Sequence, residues 1–137
     1  MRATIDELPA VAFDWKPGPD MNSLTVLIVH LTGAENYWIC DVAGDAHTGR
    51  DRAAEFLATE WDAAALQARL AETRRAVKET IAQLTLNDLA TQRDSIMDEE
   101  QTTVAWALQH ALEHSTLHLG HIQITSQVWE NREAQTS

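Results

Sequence analysis

The chain has 137 residues, and 45% of them are hydrophobic, which is enough for one folded domain and too apolar for a disordered chain. Its formal net charge of −11 leaves no basic surface to neutralise nucleic-acid phosphates. Its longest apolar run, Leu24 to Leu31, is far shorter than the roughly 20 residues that cross a bilayer. We therefore expect one domain over residues 1–137 that binds neither nucleic acid nor membrane.

The first third of the chain predicts a short helix followed by a long one. Pro9 limits any N-terminal helix to about two turns, and the turn-forming stretch WKPGPD separates it from the next helix. Asn22 or Ser23 can cap a helix that runs to near Gly44. Because the first half of this segment is apolar almost all round, the helix should be deeply buried.

The remainder predicts two more long helices. Residues 43–60 form a link, with at most one helical turn, that is long for neighbouring helices and suits a chain crossing back over a bundle. An amphipathic helix from Trp61 to Leu84 follows, with Asp62 as its cap. A polar loop over residues 85–100, which could open with a short turn, leads to a last helix from about Gln101 to Asn131. With only 5 glycines and 3 prolines, the chain is predicted to be all-α.

Four of the chain's 6 histidines lie in the last helix. At about 100° per residue, and with His114 at zero, His118 lies at about +40°, His121 at about −20° and His110 at about −40°. The same stripe carries apolar residues, so we expect it to face the core. The neighbours on or beside the stripe, apolar except for one threonine, are Ala107, Ala111, Leu117, Ile124, Thr125 and Val128.

This pattern has two interpretations. Histidines four residues apart can hold one metal ion, but they also occur by chance, and a buried imidazole can simply be hydrogen-bonded. Placement on a core face favours the metal, because one ion satisfies several imidazoles at once. His30, in the middle of the apolar helix, is the candidate third ligand beside His114 and His118. His47 lies in the long link and should be exposed.

The segments NSLTVLIVHLTGAENYWI and VAWALQHALEHSTLHLGHIQ resemble the DinB-like (DinB/YfiT) superfamily. The resemblance covers the chain from Trp15 to Glu130. The family motif is a histidine on the second helix, then H-x-x-x-H on the fourth, usually followed by a glycine and a polar residue. The matching positions here are His30, His114, His118, Gly120 and His121.

The resemblance implies an up-down-down-up four-helix bundle that holds divalent Zn, Ni or Fe on three histidines. It also implies kinship with bacillithiol and mycothiol S-transferases, in which a low-molecular-weight thiol is a cofactor. Two departures stand out. The first helix is shortened here, and Leu119 and His121 stand where many members carry Arg and Gln.

Three functions stay open: a metal-dependent thiol S-transferase acting on a small-molecule substrate, a metal-dependent hydrolase, and a non-catalytic metal-stabilised binding module. His121 is the candidate catalytic residue; a fourth ligand or a pocket-lining residue are its other possible roles. The single cysteine, Cys40, suits a buried position and a reducing, cytoplasmic location.

A homodimer is also expected, because a shortened first helix should leave apolar residues of the bundle uncovered. The candidates for this open face are Leu24, Val26 and Ile28, or the stripe of Leu66, Leu70 and Val77. The alternative is that the segment around Phe13 and Trp15 closes the wall.

Overall fold

The protein is a bundle of helices, and the computed structural model describes residues 5–95 and 101–136. The predicted all-α class is confirmed, with three long helical segments. The short helix predicted before Pro9 is seen at Ile5 and Asp6 within the described residues, and a further short helix, which was not predicted, follows Pro9. Two very short strands pair as an antiparallel ladder before the last helix. In chain order the elements are α1 (Ala10–Asp14), α2 (Leu24–Glu35), a π-helical segment (Asn36–Ala43), α3 (Arg52–Glu55), α4 (Ala63–Gln83), a 3₁₀ helix (Leu86–Ala90), β1 (Gln92–Arg93), β2 (Thr102–Thr103) and α5 (Val104–Thr136).

The predicted long, deeply buried helix is confirmed as α2 and its π-helical continuation. The Ser23 side chain caps it by accepting a hydrogen bond from the Val26 amide. Every residue from Leu24 to Ala34 is buried. The π-helical turn, in which the Gly44 amide donates to the Ile39 carbonyl, was not predicted, because no apolar spacing distinguishes it from an α-helix.

The predicted link and amphipathic helix are also present, with Asp62 capping α4 through the Ala65 amide. The loop predicted over residues 85–100 opens with the 3₁₀ helix, in agreement with the short turn considered there, but it also contains β1, which was not predicted. Residues 96–100 of that prediction lie outside the described residues. Helix α5 begins at Val104 rather than Gln101, because Thr102 and Thr103 pair with β1.

The segment around α1 closes one wall of the bundle. Phe13 is fully buried, its carbonyl accepts a hydrogen bond from Thr25 Oγ1, and Trp15 packs edge-to-face on Trp129 with 5.4 Å between ring centroids. The expectation of an open apolar face was therefore wrong for Leu24, Val26, Ile28 and Leu66, all of which are buried within the monomer. The alternative, closure by Phe13 and Trp15, is what the structure has.

Two apolar clusters form the core and bracket the middle of the bundle. The first contains Leu27, Ile28 and Ile122, and the second contains Ala34 and Ala111. On α5 the segment between these clusters carries His114, His118 and His121, whereas on α2 His30 lies between Val29 and Leu31 of the first cluster. Among the described helices, none combines the length and the apolar character that crossing a bilayer requires.

Candidate metal centre

Three histidines converge where α2 crosses α5. His30 comes from α2, and His114 and His118 come from successive turns of α5. One ring nitrogen from each histidine lies within 4.8 Å of a ring nitrogen of each of the other two. Among the described residues, these three could therefore hold one metal ion. The Nε2 atoms of His30 and His114 are 3.1 Å apart. Two nitrogens bound to one tetrahedral zinc would be about 3.3 Å apart, so a divalent ion fits between these rings.

The hydrogen bonds of His30 and His114 leave ring lone pairs unsatisfied, and a metal ion would satisfy them. His30 Nδ1 lies 2.8 Å from a carboxylate oxygen of Glu55, so it carries the proton and the Nε2 atom has a bare lone pair. His114 Nδ1 is buried without a hydrogen-bond partner in the described part of the chain. If that nitrogen holds the proton, two Nε2 lone pairs face each other, which a cation between them would stabilise. If Nε2 holds it, Nδ1 is an unsatisfied buried acceptor.

The His114 and His118 rings are neutral at physiological pH. Burial lowers the pKa of His114 to about 4, and repulsion from His118, His30 and His110 acts in the same direction. Burial lowers the pKa of His118 to about 4 as well, assisted by His30 and His121. A neutral imidazole offers the lone pair that a metal ion needs.

Glu55 and Arg50 hold His30 in place, and neither residue was predicted from the sequence. The α3 turn puts Glu55 over α2, where Oε2 accepts from His30 Nδ1 at 2.8 Å. Arg50 donates to Oε1 through Nε at 2.7 Å and to Oε2 through Nη2 at 2.8 Å. Burial raises the pKa of Glu55, but the hydrogen bonds from Arg50 and His30 outweigh it and keep the pKa below its ordinary value. A carboxylate behind a ligating histidine fixes its tautomer and orientation.

The histidine stripe does not face the core as predicted. The buried residues of α5 centre at about +60° from His114, on Ala111, Ile122 and Trp129, because α2 packs on that side. His114 and His118 lie at the edge of this face and are half-buried. On the far side of the stripe, Leu117, Ile124 and Val128 are exposed, at 57%, 53% and 40%.

The other candidate residues lie outside the cluster. His121 is exposed, with its Nδ1 3.3 Å from His118 Nδ1, and His110 stacks on Trp106. His47 is exposed, as expected. Phe56, in the link, packs against the His30 ring with 4.7 Å between centroids. Trp38 and Trp129 are buried in the core, whereas Trp106 is 43% exposed.

Fold and site together define a helical-bundle protein with a three-histidine cluster between two crossing helices. The chain belongs to the DinB superfamily, whose family model matches residues 1–122. Two solved structures share the fold. The DinB-like protein YjoA of Bacillus subtilis has a TM-score of 0.71 at 20% identity, over 94% of this chain and 82% of that one. A DinB-like protein of Bacillus cereus has a TM-score of 0.70 at 15% identity, over 94% and 83%. No curated protein shows a significant match.

Gly33 makes room for Glu55, and we expect Gly33→Ala to disturb the metal centre. A Cβ atom at Gly33 would overlap the Glu55 carboxylate, whereas one at Gly120 of α5 would meet open space. Gly33→Ala should therefore lower both the melting temperature and the affinity for Zn²⁺. Gly120→Ala should leave zinc affinity unchanged and stabilise the helix by up to about 1 kcal/mol. Equal zinc affinity in the two variants would contradict the role given to Glu55.

We expect acid to destabilise the metal-free protein well above the pH at which carboxylates titrate. His114 and His118 have pKa values near 4 when folded and 6.5 when unfolded, so their contribution to stability is complete above pH 6.5 and falls towards pH 4. Both rings are partly exposed, so we discount the effect to about 1 kcal/mol at pH 5, or about 3–5 °C in melting temperature.

The measurement is thermal unfolding with a chelator present, at pH 7, 6 and 5. His118→Gln should flatten the pH dependence, whereas His47→Gln, whose side chain is 80% exposed in the wild type, should not change it. A melting temperature that stays constant from pH 7 to pH 5 would show that these rings are not buried in their neutral form.

Proposed function

We propose that this protein is a metal-dependent thiol S-transferase in which His30, His114 and His118 hold one divalent ion. The observation that supports this proposal best is that three imidazoles converge: His114 and His118 are neutral, and His30 is held by a carboxylate. Among the described residues, no fourth histidine, cysteine or carboxylate belongs to this group. Three protein ligands are typical of catalytic sites, whereas closed structural sites use four.

The position of the cluster favours access by a small molecule. His114 and His118 lie at the edge of the interface between α2 and α5, so one side of the cluster faces solvent while His30 faces the core. A bound ion would supply a Lewis acid that lowers the pKa of an incoming thiol.

The protein's own groups would position the ion and accept the proton. Glu55 keeps the proton on His30 Nδ1, which leaves Nε2 for the ion. Phe56 covers one face of the His30 ring and excludes water there. His121 is exposed beside His118 and can accept the proton that the thiol releases; this is the role we propose for it.

Cobalt substitution tests the proposal directly. Protein loaded with Co²⁺ should gain a sulfur-to-cobalt charge-transfer absorption when 1-thioglucose is added. It should also accelerate the reaction of 1-thioglucose with 1-chloro-2,4-dinitrobenzene, and His114→Ala should abolish both effects. If the thiol leaves the cobalt spectrum unchanged and no thiol-dependent turnover appears, the transferase assignment fails, and a hydrolase or a binding module becomes the better proposal.

We also propose that the protein is a homodimer, now through a different surface. Four exposed apolar residues of α5 lie along one stripe, namely Trp106, Leu117, Ile124 and Val128. Light scattering should give a dimer mass at micromolar concentration. Ile124→Glu should shift it to monomer, whereas Leu86→Glu, at an 87% exposed site in the 3₁₀ helix, should not. A wild-type monomer at high micromolar concentration would rule the dimer out.

A further inference from the structure

A cavity of about 450 Å³ lies between α2, the link and α4. It is lined by Glu55 and Arg50 but by none of the three clustered histidines, so it lies on another side of the carboxylate that holds His30. Its volume is within the range of pockets that enclose small-molecule ligands. The cavity is therefore distinct from the space between the three histidines, and the residues that line it determine what it can bind.

Arg69 is a cation of this cavity that forms no ion pair with either acidic lining residue, Asp51 or Glu55. Its Nε donates to Thr32 Oγ1 at 2.6 Å and its Nη2 donates to the Val29 carbonyl at 3.3 Å, and both acceptors are neutral. No described carboxylate forms an ion pair with it. Glu55 and Glu72 act on it electrostatically from longer range, and Glu55 is already paired with Arg50.

A half-buried guanidinium without an anionic partner is costly in a protein, and its planar donor set matches a carboxylate. The two hydrogen bonds to α2 fix its orientation and engage Nε and Nη2, so its remaining N–H groups are the donors available to a ligand. This geometry favours an anion as the missing partner.

The rest of the wall suits the carbon skeleton of such an anion. The Trp61 ring lies beside Arg69, with 5.6 Å from the guanidinium carbon to the ring centroid. Val29, Ala54 and Ala58 add aliphatic surface around it. A free inorganic anion would leave this apolar surface uncovered, whereas an organic acid would cover it.

We propose that this cavity binds a small organic carboxylate, with the carboxylate on Arg69 and the carbon skeleton against Trp61. The cavity shares Glu55 and Arg50 with the support of His30, but its proposed ligand contacts, Arg69 and Trp61, lie outside the three-histidine cluster. It should therefore bind its ligand in both the metal-free and the metal-loaded protein, so its failure would leave the proposed metal chemistry untouched.

The test compares phenylacetate with its neutral analogue, phenylacetamide, by titration followed in ¹H–¹⁵N spectra. The chain has 5 tryptophans, and the spectrum of Trp61→Phe identifies the indole signal of Trp61. Phenylacetate should shift that signal to saturation, and phenylacetamide should bind at least about tenfold more weakly, since it cannot form the charged pair with Arg69. Inorganic phosphate, as a third titrant, should bind more weakly than phenylacetate because it leaves the apolar wall uncovered.

Two variants and one control separate the site from the fold. Arg69→Gln should weaken phenylacetate at least tenfold. Arg75→Gln, on the same helix but exposed and paired with Glu79, should not. Ala54→Met changes an exposed position of α3 that lines the cavity. The larger side chain should obstruct the cavity while Arg69 stays in place, so this variant should also bind phenylacetate more weakly.

Several results would overturn the proposal. These are equal binding of phenylacetate and phenylacetamide, unchanged binding by folded Arg69→Gln, and no shift of the Trp61 signal at tens of millimolar phenylacetate. If Arg69→Gln does not fold, unchanged binding by Ala54→Met has the same meaning. Binding of phosphate alone would show an oxyanion site and would refute the organic carboxylate.

Discussion

Replacing His118 with alanine should abolish stoichiometric binding of a divalent ion. His118 supplies one of three nitrogens that lie within 4.8 Å of one another, and its loss leaves only His30 and His114. Two imidazoles on separate helices hold zinc or nickel far more weakly than three, so the ion should be lost during dialysis. His30→Ala should have the same effect. Elemental analysis after loading with Zn²⁺ or Ni²⁺ should give about one ion per wild-type chain and less than about 0.1 per variant chain.

His121→Ala and His47→Ala serve as matched controls for this measurement. His121 is one turn from His118 but exposed, and His47 lies in the link with an 80% exposed side chain. Both variants should retain the ion. Loss of metal in His121→Ala would make that residue a fourth ligand instead of the proton acceptor we propose. Retention of metal in both His30→Ala and His118→Ala would show that the cluster is not the site.

The residues of the cluster could be predicted because helical spacing determines which side chains share a face. Rotation of about 100° per residue brings His114 and His118 onto one side of α5 whatever the helix packs against. His30 could be added because a histidine inside an apolar run needs a partner. The direction in which the stripe faces depends on where α2 crosses, and this is a tertiary property. For that reason the prediction of an inward-facing stripe was wrong by about 60°.

Glu55 and Arg50 could not be found in the same way. They lie in an irregular link, where no periodicity relates a residue's number to its direction, and they reach His30 only because the link folds back over α2. One weak signal existed. Glu55 is the acidic residue within the one helical turn expected in the link, between Arg50 and Phe56. A metal-ligating histidine donates its other ring N–H to an acceptor, and a carboxylate is one of the common ones. The closure of the bundle by Phe13 and Trp15 is likewise a contact between distant segments.

Glu55→Gln should lower the affinity for a divalent ion about 10–100-fold while leaving all three histidines in place. The carboxylate accepts hydrogen bonds from His30 and from two nitrogens of Arg50 through both of its oxygens. Glutamine has only one oxygen, so its NH₂ group must face a donor from either His30 or Arg50. If the NH₂ group faces His30, the ring loses the acceptor that fixes its proton on Nδ1. If the NH₂ group faces Arg50, His30 keeps an acceptor, but a neutral one that binds the N–H more weakly than a carboxylate does.

The same change should also destabilise the fold, and a second variant separates the two effects. The side chains of Arg50 and Glu55 are each 6% exposed, and breaking a buried pair costs about 3–5 kcal/mol. In the double variant with Arg50→Met the unpaired cation is gone, so much of the stability should return while metal affinity stays low. Glu79→Gln, which breaks the exposed pair with Arg75, should cost at most about 1 kcal/mol and leave metal binding unchanged. The measurements are zinc titration and thermal unfolding of the wild type and the three variants. A zinc affinity of Glu55→Gln within about threefold of wild type would mean that Glu55 stabilises the link without positioning His30.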